Sequence, residues 1–153
     1  MDRCELALQY HHSGYNCAQS VLMAFEDLTK VEAATGFAVA GGLGGGVGTT
    51  HQELCGAANG AVIALGLLFP FTDGADAEGK RRVYAQAKEF LQRFQARFDG
   101  LSRCGDLLRA RIEPTEEKTP AAVRLGVDKH CDILIVTAVE VLEEMLAEEK
   151  AEQ

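Results

Sequence analysis

Apolar positions along the chain recur at helical spacing, and no segment alternates apolar and polar residues long enough to read as a strand. Residues 2–11 carry Leu6, Leu8 and Tyr10 and predict a short first helix, broken at His11, His12, Ser13 and Gly14. Asn16 is placed to cap the next helix, with Gln19 three residues on in the position of a capping box. Val21, Leu22, Phe25 and Leu28 form its apolar stripe, and a third short helix is predicted over residues 31–40. A core helix over residues 51–68 is introduced by Thr50 and Glu53 as a capping box and stopped by Pro70. The next, over residues 75–98, is long and amphipathic: Val83, Ala87, Phe90, Leu91, Phe94 and Phe98 share a face, and Gly100 ends it. Ser102 reads as the cap of a shorter helix carrying Leu107 and Leu108. Residues 114–120 read as a polar loop, and residues 121–125 as a short helix closed by Gly126. Asp128 reads as the cap of the last helix, whose apolar face is Ile133, Val136, Val139, Val141, Leu142 and Met145. Its far end, residues 143–150, reads as charged, solvated surface.

These elements predict an all-α fold: a single-domain bundle of about six to eight helices spanning residues 1–153, with residues 147–153 frayed. One stretch stands outside the helical pattern. In Gly41-Gly42-Leu43-Gly44-Gly45-Gly46-Val47-Gly48, six of eight residues are glycine, which predicts a turn of unusual backbone shape rather than a packed element.

The cysteines bring in chemistry. There are five, with no Cys-x-x-Cys pair, so neither a thioredoxin motif nor a zinc ribbon is present. Cys17 directly follows the cap residue Asn16. Cys104 stands two residues after Ser102, Cys131 three after Asp128, and Cys55 five after Thr50. Four cysteines therefore lie in or near the first turns of four helices. Unpaired N–H groups and the positive end of the helix dipole favour a thiolate there, so lowered thiol pKa values are expected. If neighbouring helices run antiparallel, all four starts share one end of the bundle, beside the glycine-rich loop. Gly44, Gly45 and Gly46 would then let backbone N–H groups approach sulfur, or a bound anion or cofactor, closely. Cys4, at the N-terminal end, reads as a small buried apolar residue.

Bulk composition narrows the classes. Hydrophobic residues make up 47% and charged residues 25%, an ordinary globular balance, and the net charge is −8. An acidic surface disfavours nucleic-acid partners and anionic lipid. The N-terminus lacks the pattern of a signal peptide, and the longest apolar stretch, residues 61–71, is too short to span a bilayer. A cytoplasmic protein without membrane insertion is the expectation, and in a reducing compartment its cysteines are not expected to be structural disulfides.

Gly14-Tyr15-Asn16-Cys17-Ala18-Gln19-Ser20-Val21-Leu22 resembles the first signature of the C_GCAxxG_C_C family, and Cys55-Gly56-Ala57-Ala58-Asn59-Gly60 its central Cys-Gly-Ala-x-x-Gly motif. Cys104 and Cys131 fall where the family's third and fourth cysteines are expected, so the resemblance covers residues 14–144. Cys4 lies outside the pattern, and Gly105 stands where a charged residue is more usual. The resemblance implies a redox-active protein working through four cysteines. A similar domain accompanies some multihaem cytochromes, but without Cys-x-x-Cys-His covalent haem is not expected in this chain.

Three readings stay open. In the first, Cys17, Cys55, Cys104 and Cys131 carry thiol–disulfide chemistry, with Cys17 and Cys55 as the first pair, and exchange electrons with a redox partner protein or a small-molecule oxidant or reductant. In the second, the same four cysteines ligate a metal, chiefly as an iron–sulfur cluster. In the third, the chain is a helical binding or adaptor domain with inert cysteines. Arg103 and Lys129 stand beside two of the cysteines as candidate thiolate partners. His51 and His130 are candidates to donate to sulfur, while His11 and His12 read as loop residues. The apolar last helix leaves a homo-oligomer open, with core packing as the default.

Overall fold

The apolar run near the C-terminus becomes the axis around which the rest of the chain packs. The structure is a computed structural model and describes residues 1–152. Among the described residues there are nine helices and no strand. They are α1 (Arg3–His12), α2 (Cys17–Met23), α3 (Glu26–Thr29), α4 (Ala33–Val39), α5 (Gly56–Leu68), α6 (Ala77–Ala96), α7 (Cys104–Arg109), α8 (Pro120–Leu125) and α9 (His130–Ala151). In α9 every residue from Asp132 to Val139 is buried, followed by Val141, Leu142 and Met145. A helix apolar on all sides belongs inside a fold, and α1, α2, α5, α6 and α8 all pack against this one. The single apolar face expected for it is thus too narrow.

The second half of α9 is not frayed at residue 147 but helical through Ala151, while Gln153 lies outside the described residues. Part of its charged surface is paired to α6. Arg82 reaches Glu149 at 2.6 Å, Arg93 reaches Glu148 at 2.6 Å, and Arg97 reaches Glu140 at 2.7 Å. The pairs of Arg82 and Arg93 are largely exposed and contribute little each, so they set the alignment of the two helices more than their stability, whereas Arg97 and Glu140 are both mostly buried. Stability comes from the face below them. Phe90 and Phe94 of α6 are fully buried, each worth about 1.5–3 kcal/mol, and Phe94 packs on Phe98 with ring centroids 5.0 Å apart.

Helix α5 is rich in small residues: Ala57, Ala58, Gly60, Ala61 and Ala64 are all buried. They allow α2 to lie almost backbone to backbone against it. At Gly60 a Cβ would overlap the Ala18 carbonyl oxygen outright.

Several expected helix boundaries move. The stripe after Asn16 splits into α2 and α3 around Phe25. The core helix does not begin behind Thr50; residues 51–54 are irregular, and Cys55 itself is the N-cap of α5. Residues 45–51 explain why. Gly45, Gly46, Val47, Gly48, Thr49 and His51 all have φ between +59° and +67°, a left-handed path that a right-handed helix cannot continue. The Thr50 hydroxyl is therefore spent on the Gly46 carbonyl at 2.6 Å, and Glu53 caps nothing. The caps of α7 and α9 are Arg103 and Lys129, one residue past the expected Ser102 and Asp128, and neither uses its side chain. Pro120, expected to close a loop, instead opens α8, where its fixed φ suits the first helical position.

Candidate functional site

The shifted boundaries place the cysteines closer to helix starts than their spacing suggests. Cys17 is the first residue of α2, Cys55 the N-cap of α5, Cys104 the first residue of α7 and Cys131 the second of α9. All five cysteines are unbridged.

The Cys17 position is built from both sides. Asn16 and Gln19 form the predicted capping box: the Asn16 side chain accepts from the Gln19 N–H at 2.8 Å, and the Gln19 side chain from the Asn16 N–H at 3.0 Å. Their amide groups also donate outward, Asn16 to the Gly41 carbonyl at 3.0 Å and Gln19 to the Phe37 carbonyl at 2.9 Å. The same two residues thus start α2 and fasten against it the end of α4 and the first glycine of the loop. Tyr15, one residue earlier, stacks on Phe37 at 4.1 Å between centroids.

The sulfur of Cys17 presses on Gly56, where a Cβ would overlap it, and Gly56 is the residue after Cys55. That contact accounts for the glycine in Cys55-Gly56. The next layer is the segment of residues 51–55, which runs antiparallel to residues 102–105. Cys55 donates its N–H to the Ser102 carbonyl at 2.8 Å, Cys104 to Glu53 at 2.9 Å and Gly105 to His51 at 2.7 Å, around an isolated bridge between Leu54 and Arg103. A side chain at position 105 would approach the His51 carbonyl to 2.5 Å, which explains the departure from a charged residue there.

Cys17 is the common neighbour. Its charge bears on Cys55, on Cys104 and on Cys131, and the charge of Cys104 also bears on Cys55 and Cys131. Contacts therefore gather Cys17, Cys55 and Cys104 at one place, and Cys131 lies near enough for the charges of Cys17 and Cys104 to bear on it. The lowered thiol pKa values expected from helix starts do not follow for three of them. Burial pushes the Cys55 thiol up to about 12 and the Cys17 charge adds to this, against the N–H groups of Ala58 and Ala57, which favour the thiolate. Cys104 is raised by desolvation first and then by Cys17. Cys131 is an exposed residue, yet desolvation, Cys17, Cys104 and Asp132 raise its thiol too. For these three thiols burial and the repulsion of neighbouring charges outweigh what a helix start offers.

The glycine loop packs over this pole. Gly44 lies against Asn16, where a Cβ would come within 2.6 Å of the Asn16 Cβ, and Gly45 lies against Thr49. Gly46 lies against Cys104, at 2.6 Å by the same measure. Among the described residues the N–H groups of Gly44, Gly45, Gly46 and Val47 meet no backbone carbonyl. Val47 is a β-branched residue at φ +66°, a conformation that costs about 1–2 kcal/mol. Replacing it with glycine, which loses about 0.5–1 kcal/mol to backbone entropy, is expected to stabilise the protein by about 0.5–1 kcal/mol in urea unfolding.

The histidines fall differently from expectation. His51 is not in the helical turn of Cys55 but in the left-handed segment, where its backbone carbonyl holds Gly105. His130 places Nε2 3.3 Å from the Ala110 carbonyl, and its buried Nδ1 has no partner. Arg103 directs its Nε to the Gln52 carbonyl at 3.0 Å. Cys4 is fully buried on α1, its sulfur 3.5 Å from the Val136 carbonyl, away from the other four. His11 and His12 belong to the last turn of α1, not to a loop, and both contact Asp132, the residue after Cys131. Sequence reasoning missed this group. The available signal was one acidic residue at the head of an otherwise apolar helix.

A four-cysteine, all-α domain organised by a Cys-Gly-Ala-x-x-Gly turn is what the fold and site define. The chain matches the family model described as "Putative redox-active protein (C_GCAxxG_C_C)" over residues 15–145 and belongs to that family. No curated protein and no solved structure matches it. No helix among the described residues is long and apolar enough to cross a membrane.

Proposed function

We propose that the protein is a thiol–disulfide oxidoreductant in which Cys17 attacks and Cys55 resolves. The observation that carries this reading is the seat of the Cys17 sulfur on Gly56, directly beside Cys55. Cys17 is half-buried and Cys55 is 3% exposed, so an incoming group meets Cys17 first. The Cys17 thiolate attacks one sulfur of a partner disulfide and expels the other as a thiolate, leaving a mixed disulfide. Cys55, as its thiolate, then attacks the Cys17 sulfur and expels the second partner thiolate. Two protein thiols are oxidised, one partner disulfide is reduced to two thiols, and the two protons released on ionisation go to solvent or to those thiolates. Formation of the mixed disulfide removes the Cys17 charge, one of the causes that hold the Cys55 thiol up, so the first step prepares the second. Cys104 and Cys131 stand within reach of the same charge and suit later transfer of the disulfide outward.

A second reading, an iron–sulfur cluster on Cys17, Cys55, Cys104 and Cys131, draws support from the unpartnered N–H groups of residues 44–47, the donors that cluster sulfur accepts from. One experiment separates them. Protein purified anaerobically is assayed for iron and visible absorption, then treated with a small-molecule disulfide while thiols are counted. The first reading expects a colourless protein that loses two thiols reversibly, faster as pH rises from neutral, and Cys17→Ser and Cys55→Ser that lose none as a pair. A brown protein with stoichiometric iron, or four unreactive thiols, overturns it.

A further inference from the structure

Outside the cysteine pole, one group of side chains has the composition and spacing of a metal site. His11 and His12 end α1, and Asp132 lies in the first turn of α9, which packs against α1. His11 Nδ1 is 3.3 Å from one carboxylate oxygen of Asp132, and His12 Nε2 is 3.0 Å from the other. The three ligand atoms all lie within 4.8 Å of one another. We propose that His11, His12 and Asp132 bind a divalent first-row transition-metal ion.

Three observations carry this inference. The first is spacing. Metal–nitrogen and metal–oxygen bonds of about 2.0–2.2 Å put neighbouring ligand atoms about 3.0–3.5 Å apart in octahedral or tetrahedral geometry, the separation these atoms already have from Asp132. The second is the way two adjacent histidines converge. Neighbours on a helix point about 100° apart, so identical reach would separate them. Here His11 offers its near nitrogen, Nδ1, and His12 its far one, Nε2, and both arrive at one carboxylate. The third is the carboxylate itself. Its side chain is 7% exposed, no lysine or arginine pairs with it, and its side-chain partners among the described residues are the two imidazoles. A buried carboxylate without a full counter-charge is costly, and a bound dication supplies that charge.

The ligand set is two imidazoles and one carboxylate, which suits zinc or ferrous iron rather than calcium or magnesium. His12 is 57% exposed, so the remaining coordination positions face solvent. Open positions mark a site where a further ligand exchanges, in contrast to a closed structural site. The site is independent of the cysteines, and it places a cation one residue from Cys131.

The probe is cobalt(II), added under reducing conditions to the full-length protein, with visible absorption and equilibrium dialysis as readouts. One equivalent is expected to bind, with ligand-field bands and without sulfur-to-cobalt charge transfer. His12→Ala and Asp132→Asn are expected to weaken binding at least about tenfold, and the solvent-exposed His12 keeps one of these variants clear of folding defects. Circular dichroism checks the other. Cys17→Ser/Cys104→Ser is expected to bind cobalt as the wild type does. No binding, binding with charge transfer from sulfur, or binding unchanged in His12→Ala overturns the proposal. Loss of binding in the cysteine variant also overturns it and returns the metal to the cysteine pole, so failure here and failure of the thiol reading are told apart.

Discussion

Gly56→Ala is expected to destabilise the protein by about 2–3 kcal/mol and to abolish the reversible loss of two thiols. The cost has a single main source. A methyl group at position 56 would occupy the place of the Cys17 sulfur, with the Leu43 carbonyl at 3.1 Å and the Gly44 Cα at 3.2 Å closing off the other directions. Rotation of Cys17 relieves the overlap only by taking the sulfur away from Cys55. The prediction therefore carries its own control. In a Cys17→Ala background the sulfur is gone, and Gly56→Ala should cost about 1–2 kcal/mol less than in the wild type, a coupling of the size seen for residues in contact. Gly60→Ala is the contrast: there the obstacle is the Ala18 carbonyl, which is backbone, and no side-chain truncation in α2 should rescue it. Urea unfolding of the single and double variants, with thiol counting on each, measures both effects. Strictly additive costs at positions 17 and 56 would show that the sulfur does not rest on Gly56.

The architecture was legible where the signal was local. The apolar stripes of α5, α6 and α9 gave helices at the right places, because three or four turns of periodic burial outweigh any detail at their ends. The capping box at Asn16 and Gln19 was legible for the same reason, since both halves lie within one turn. The boundary of α5 was not. Thr50 and Glu53 form as good a local pattern, but their backbone is committed elsewhere: Glu53 and His51 give their carbonyls to Cys104 and Gly105, about fifty residues on. No single-sequence pattern contains that pairing. The nearness of Cys17, Cys55 and Cys104 was anticipated from helix polarity. Their electrostatics were not, because the argument from helix starts left out the burial that the fold imposes on Cys55 and the repulsion among neighbours. In the sequence His11 and His12 look like part of a break because Ser13 and Gly14 follow them. Tertiary contact with Asp132 belongs to a helix more than a hundred residues away.

The same burial makes stability unusually sensitive to alkali. The Cys4 and Cys55 thiols are each held at about 12, against an ordinary value of 9.0, with desolvation as the leading cause for both. The sign follows from proton binding. Below about pH 9 both cysteines are protonated in the folded and the unfolded chain, and their burial carries no penalty of ionisation. Above it the unfolded chain releases its protons while the folded chain retains them, so rising pH favours unfolding until the folded thiols themselves ionise near pH 12. Each thiol then removes up to about 4 kcal/mol across the window, and two removing it together rival the whole stability of an ordinary domain. Unfolding free energy measured in urea with a reductant present should accordingly be flat to about pH 8.5 and fall by roughly 2–3 kcal/mol per pH unit above about pH 9.5. Cys4→Ala separates this effect from redox chemistry, since Cys4 sits apart from the other four. It should lower stability modestly near neutral pH, by about 1 kcal/mol, and yet reduce the alkaline slope clearly. Cys55→Ala should reduce it by a similar amount, and the slope that remains belongs to Cys104 and Cys131, whose thiols are raised as well. Slopes identical in the wild type and both variants would mean that these sulfurs are reached by solvent in the native state, and the case for a dry resolving cysteine at position 55 would fall with them.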